Sequence, residues 1–165
     1  MANRASRPLY PRHYPLLVRL SRVVVFGGGQ AGTRKTDALS RVAPVTVVSR
    51  EFSPRLKRMS RSRSGRIRLV RAVLEPRRPA VAAHLRGATL AVAATDDPLL
   101  NRFIEERCRA RGVLVNRADR AGGVILPSVV RTRGFIVAVA SGSPATTRRV
   151  RKVLEARIGR GLRTG

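Results

Sequence analysis

A cluster of glycines with the means to hold a phosphate follows directly on a short β-branched run. Val23-Val24-Val25-Phe26 leads into Gly27-Gly28-Gly29-Gln30-Ala31-Gly32. Gly27, Gly29 and Gly32 have the spacing of a dinucleotide-binding turn. The first allows a tight strand-to-helix turn, the second lets a pyrophosphate approach the backbone, and the third lets the helix pack close to the strand. The free N–H groups of the helix start would receive the anion. Thr95 ends a later apolar run, at the carboxyl edge where ligands bind in open α/β sheets. Glu51 lies 22 residues after Gly29, close to the roughly 20-residue spacing of an acid that holds a ribose hydroxyl. Arg50 beside it reads either as one more surface arginine or as an acceptor for a 2′-phosphate. Asp119 follows a strand end, where an aspartate is ordinarily a turn or a helix cap.

These positions must be presented by a framework, and the sequence alternates strand and helix signals in the manner of parallel βαβ units. Strands are expected at Val23–Phe26, Val45–Val48, Ile67–Val70, Thr89–Ala94 and Val113–Val115. The fourth is apolar throughout, as suits a strand buried on both faces. Helices are expected at about Gln30–Arg41, after Pro54, from near Pro79 to Gly87, and over Pro98–Arg111. The last of these presents Leu100, Phe103, Ile104 and Cys108 on one face. Asp96-Asp97 read as its cap rather than as a metal pair, and Gly112 as its stop. After Asn116 the pattern changes. Val124–Val130 and Phe135–Ala140 read as a hairpin, followed by a helix over about Ala145–Ile158 with Val150, Val153, Leu154 and Ile158 turned inward. An exposed hairpin with apolar strands needs covering, and a symmetric partner would do it. The fold class is therefore α/β, a Rossmann-type parallel sheet with an appended β-hairpin plus helix as a dimerisation element. The boundary falls between residues 1–116 and 117–165.

Composition narrows the functions. A single cysteine excludes an internal disulfide framework and a cysteine-based zinc site. His13 and His84 have no partner at ligand spacing, so no metal site is expected. Met1–Arg12 is basic, but Tyr14–Leu20 is interrupted by Arg19 and is too short for a signal sequence. No apolar run approaches the ~20 residues that span a bilayer. A cytoplasmic protein without a membrane partner is expected. The net charge of +26 points to anionic ligands. The densest basic run, Arg55–Arg71, reads as loop-like and has no interleaved aromatics on which bases would stack. Nucleic acid is thus the weaker candidate, and a polycarboxylate or a phosphate-bearing small molecule the stronger.

A wider set of motifs resembles one known family. Gly27-Gly28-Gly29 with Arg34-Lys35, Ala94-Thr95-Asp96-Asp97-Pro98 with Asn101, and Val113-Leu114-Val115-Asn116 with Asp119 occur in that family's order. Ile125-Leu126-Pro127-Ser128 and Val137-Ala138-Val139 before Ser141-Gly142 continue it. The set, over about Tyr14 to Ile158, is similar to the precorrin-2 dehydrogenase family, which includes the N-terminal module of sirohaem synthase. The resemblance implies oxidation of precorrin-2 to sirohydrochlorin with NAD⁺ in sirohaem biosynthesis; some members of that family also insert iron as a ferrochelatase.

By that resemblance Gly27, Gly28, Gly29, Gln30 and Ala31 form the pyrophosphate loop, with Gln30 and Ala31 the cofactor-contacting pair. Arg50 and Glu51 match the pair at the adenosine ribose, and Glu51 favours NAD⁺ over NADP⁺. Asp119 matches the family's candidate catalytic aspartate, and it is also the only acidic residue between Glu106 and Glu155. Ser141 matches a serine near the substrate pocket. The chain departs from the family in a shorter Asp119–Pro127 segment, with Gly123-Val124 in place of a polar residue and phenylalanine, and in a shorter loop after Ser141. The substrate's eight carboxylates would give the excess arginine a use. The alternative reading is a non-enzymatic nucleotide-sensing module, which would have no need of the Asn116–Asp119 and Pro127–Ser141 motifs.

Overall fold

The computed structural model describes residues 15–76, 80–120, 124–132, 134–141 and 143–161. His13, Pro79, Gly123 and Gly142 lie outside the described residues. Two compact units result: Val18–Val124, and a second one whose described part is 15–17 with 125–161.

The larger unit is a five-stranded parallel sheet. Its strands are β1 (Val23–Phe26), β2 (Val45–Ser49), β3 (Ile67–Arg71), β4 (Leu90–Ala93) and β5 (Leu114–Arg117), in the order β3-β2-β1-β4-β5. β1 and β4 are buried at every residue, so neither alternates, as expected of central strands covered on both faces. The helices are α1 (Gln30–Leu39), α2 (Pro54–Ser62), α3 (Ala80–His84) and α4 (Pro98–Arg109). β2 and β4 flank β1 on opposite sides, so the chain reverses its direction of travel across the sheet there. A crevice opens at such a switch point, at the carboxyl ends of the strands.

The helix boundaries have local causes. Asp97 caps α4 by accepting from the N–H groups of Leu99 at 2.8 Å and Leu100 at 3.2 Å, with Pro98 in the first turn. Gly112 follows with φ of 66°, a left-handed conformation that glycine adopts without a steric cost. Ser53 caps α2 by accepting from Leu56 N–H at 3.1 Å. The helix expected after Pro54 therefore runs to Ser62 and the expected strand begins at Ile67, so the basic run Arg55–Arg71 is not loop-like as a whole. Arginines on α2 are held by an acid on α1. Asp37 pairs with Arg55 at 3.0 Å and with Arg63, just past the helix, at 2.9 Å.

The core joins Phe26, Leu85, Ala91, Ala93, Leu100, Ile104 and Cys108. Cys108 is completely buried, and burial pushes its thiol up to about 12, so it packs as a small apolar side chain. His84 meets Phe26 edge-on, with centroids 6.5 Å apart. Its burial, and then Arg22, hold its pKa below the usual value.

The smaller unit contains β6 (Ser128–Arg131) antiparallel to β7 (Ile136–Val139) and α5 (Pro144–Gly161). The first strand starts later than its apolar run, because residues 124–127 are not in a ladder. Val150 and Val153, expected inward, are exposed along with Phe135 and Ile136. Among the described residues, no helix is long and apolar enough to cross a membrane.

Truncation of Ile104, which is fully buried among these side chains, should cost about 2–5 kcal/mol. Val153→Ala, at an exposed site, should change stability by under ~0.5 kcal/mol. Urea unfolding of the two variants measures both.

Candidate functional site

The glycine loop is shaped by what each missing side chain would strike. Gly27 takes φ of 112°, and a Cβ on it would lie 2.1 Å from the Ala94 carbonyl oxygen. The loop start is thereby pressed against the end of β4, where Ala94 N–H donates to Phe26 O at 2.8 Å. A Cβ on Gly32 would fall 1.9 Å from the Gly27 carbonyl oxygen, and one on Gly28 would fall 2.1 Å from that of Glu51. Gly29 differs. Its φ of −75° suits any residue, and its Cβ would meet nothing within 4 Å. The fold makes no demand for glycine there, yet a side chain would fill the space in front of the α1 N-terminus. That space fits a dinucleotide pyrophosphate, which needs close backbone approach and the open N–H groups of a helix start.

Gln30 and Ala31 are the first two residues of α1, which has no side-chain cap. Thr33 Oγ1 turns back to donate to Gly29 O at 2.7 Å and lies 2.8 Å from Ser53 Oγ. Ser53 N–H donates to Gly28 O at 3.0 Å. The segment after β2 is thus laced to the loop, with Arg50 and Glu51 exposed beside it. Lys35, one turn into α1, has its pKa lowered by burial and then by Arg34.

On the other side of the switch point, Thr95 follows β4 and is locked to Asn101. Its N–H and Oγ1 both approach Asn101 Oδ1, at 3.0 and 2.8 Å, while Asn101 Nδ2 donates to Thr95 O at 3.0 Å. Asn101 is completely buried on α4. Asp119 lies two residues beyond β5. Thr95 and Asn101 thus tie the end of β4 to α4. Nearby, Asn116 Nδ2 donates to Val124 O at 2.7 Å and holds the far end of the segment after Asp119.

Asp119 is gripped by Arg117. The guanidinium donates from Nε to Oδ1 at 3.0 Å and from Nη2 to Oδ2 at 2.6 Å. This bidentate bond outweighs the opposing effect of partial burial and holds the carboxyl below the usual carboxylate range. Arg117 is shifted upward in turn, first by the hydrogen bond to Asp119 and further by Glu105. Sequence reasoning did not single out Arg117 or Glu105. Asp97, Asn101, Glu105 and Arg109 form a stripe at four-residue spacing on α4, the one signal that a polar face there is bonded rather than solvated.

Comparison with known proteins agrees with this geometry. Residues 16–128 match the family model described as "Putative NAD(P)-binding". The chain belongs to this NAD(P)-binding family. It is 34% identical over 146 residues to a precorrin-2 dehydrogenase of Methanosarcina barkeri, covering 86% of this chain and 64% of that protein. It is 39% identical over 140 residues to a siroheme synthase of Methylobacillus flagellatus, covering 82% and 28%. The chain thus spans just under two thirds of the first relative's length and under a third of the second's. A solved structure titled SirC, precorrin-2 dehydrogenase superposes with a TM-score of 0.63 at 22% identity, over 88% of this chain and 71% of that one, and shows the same fold.

The depressed Asp119 pKa makes a stability prediction. A carboxylate with a folded pKa below its unfolded value adds stability above the unfolded value, and that contribution is lost as pH falls through the folded value. Asp119→Asn should therefore be less stable than the parent at pH 7, with the gap narrowing as pH drops below about 4. Urea unfolding across that range measures the gap.

Proposed function

We propose that this chain is an NAD-dependent precorrin-2 dehydrogenase, oxidising precorrin-2 to sirohydrochlorin. The observation that carries the reading is the open space at Gly29 before the uncapped start of α1, together with a carboxylate at Asp119 held by Arg117 just past β5. The likeness to a precorrin-2 dehydrogenase supplies the substrate class.

The reaction moves two electrons and two hydrogens: a hydride leaves the substrate with its bond pair, and a proton leaves the neighbouring atom. NAD⁺, when bound, would supply the hydride acceptor. Gly27, Gly28, Gly29, Gln30 and Ala31 would hold its pyrophosphate by backbone approach, and Arg50 and Glu51 would border its adenosine ribose. Thr95 fixes the rim of the crevice through Asn101. Asp119 takes the departing proton on an oxygen lone pair that Arg117 leaves open and passes it to water. The surplus of arginine attracts a substrate rich in carboxylates.

The smaller unit supplies the reason to expect a homodimer. Phe135, Ile136, Val150 and Val153 are exposed on β7 and α5 or beside them. Apolar strands left open invite association, and a second copy covers the same surface with itself. Sedimentation at micromolar concentration should give twice the chain mass, and a clean monomer would contradict this.

Two substitutions separate binding from chemistry. Gly29→Val should fold, since its Cβ has room, but should lose NAD⁺ binding by calorimetry. Asp119→Asn should keep NAD⁺ affinity within about twofold while anaerobic formation of sirohydrochlorin falls by about 10²–10⁴-fold. Equal NAD⁺ affinity in parent and folded Gly29→Val would refute the cradle. A sensor module would bind NAD⁺ yet show no turnover in the parent.

A further inference from the structure

Behind Asp119 stand two charged side chains that a surface loop does not require. Glu105 and Arg117 are 8% and 9% exposed and lie 3.2 Å apart, from Arg117 Nη1 to Glu105 Oε2. Removing each ion from water costs several kcal/mol, and such pairs often add little net stability over apolar residues. Stability alone is a poor reason for their presence, and their geometry suggests another.

Arg117 uses its whole fork. Nε and Nη2 face the two oxygens of Asp119, and Nη1 faces Glu105. Glu105 is itself fixed, its Oε1 accepting from Arg109 at 2.7 Å and Arg120 at 3.3 Å. Through Arg117 and Glu105 the carboxylate is therefore tied to α4 as well as to the end of β5, the last two regular elements of the larger unit.

We propose that Arg117, locked by Glu105, is a positioning residue that fixes the orientation of the Asp119 carboxylate for proton removal. This rests on the reading of the chain as a precorrin-2 dehydrogenase. The charged groups around Asp119 are Arg117 from β5, Glu105 and Arg109 from α4, and Arg120 from the following loop. Arg117 alone among them touches it. Lysine at 117 would keep the charge but not the planar two-point grip.

The test uses Arg117→Met, Arg117→Lys and Glu105→Gln in the full chain. Glu105 keeps Arg109 and Arg120 as partners when Arg117 is removed, so the first variant leaves no isolated buried charge; the other two keep a polar group at each site. Carbon-13 carboxyl shifts, assigned by Asp119→Asn, follow Asp119 through its titration. Kinetics with precorrin-2 give kcat, KM for NAD⁺, and the acid limb of kcat/KM. In Arg117→Met, Asp119 should titrate at higher pH, and the acid limb should move up with it. Its kcat should fall about 10²-fold, as for a misplaced catalytic group, with KM for NAD⁺ within about twofold. Arg117→Lys should restore part of the titration shift but little of kcat, and Glu105→Gln should fall between. An unmoved Asp119 titration in Arg117→Met, or parental kcat and acid limb in it, overturns the proposal even if melting temperature drops. Absence of turnover in the parent counts against the assigned reaction, while the carboxyl titration still reads the clamp by itself.

Discussion

The rest of the larger unit depends on one close approach, between the backbone of Gly27 and the carbonyl of Ala94. With β1 and β4 in register from Val23 opposite Leu90 to Phe26 opposite Ala93, the next residue of each strand must part from its neighbour. Gly27 does so at φ of 112° with no room for a Cβ. That turn sends the chain into α1, and Gly32 then packs on the Gly27 carbonyl. What is left between the two strand ends is a crevice with a helix N-terminus on one side and Thr95 on the other. Any side chain at 27 would push β4 away and open the site from beneath.

Charge is the second organising quantity. With 35 basic residues against nine acidic ones, self-repulsion is a standing cost, and two acids, Asp37 and Glu105, each hold three arginines. Asp37 gathers Arg41, Arg55 and Arg63 and so ties α1 to α2. Glu105 gathers Arg109, Arg117 and Arg120 and ties α4 to β5 and the loop beyond it. The helices next to the crevice are thereby fixed by ion pairs as well as by the apolar core. The second of these nodes ends at Asp119, so the network that restrains the fold also restrains the carboxylate.

The order of the elements was legible because it follows from local rules. Apolar runs flanked by glycine and proline gave the five strands, and the Leu100, Ile104 and Cys108 spacing gave the buried face of α4. The glycine spacing pointed to the cradle, although only the structure shows that, of Gly27, Gly28, Gly29 and Gly32, Gly29 alone is free of a packing demand. The clamp was not legible. A sequence with so many arginines hides Arg117, whose side chain is nearly buried, and Glu105 resembles any solvent-facing glutamate until Arg117 is brought against it from β5. The inward assignment of Val150 and Val153 failed for a related reason: helical periodicity identifies an apolar face but not what covers it. The helix after Pro54 and the strand from Ile67 were legible from Ser53-Pro54 and the apolar run, and only the loop-like reading of the basic run as a whole failed.

The account stands or falls on a coupled oxidation. The most direct measurement is anaerobic incubation of the purified chain with precorrin-2 and NAD⁺, with no other oxidant, following NADH at its absorbance band and sirohydrochlorin at its own. Equal amounts of the two products, formed at a rate proportional to protein, are predicted. Binding of NAD⁺ without formation of either product would contradict it and leave a nucleotide-binding module in its place.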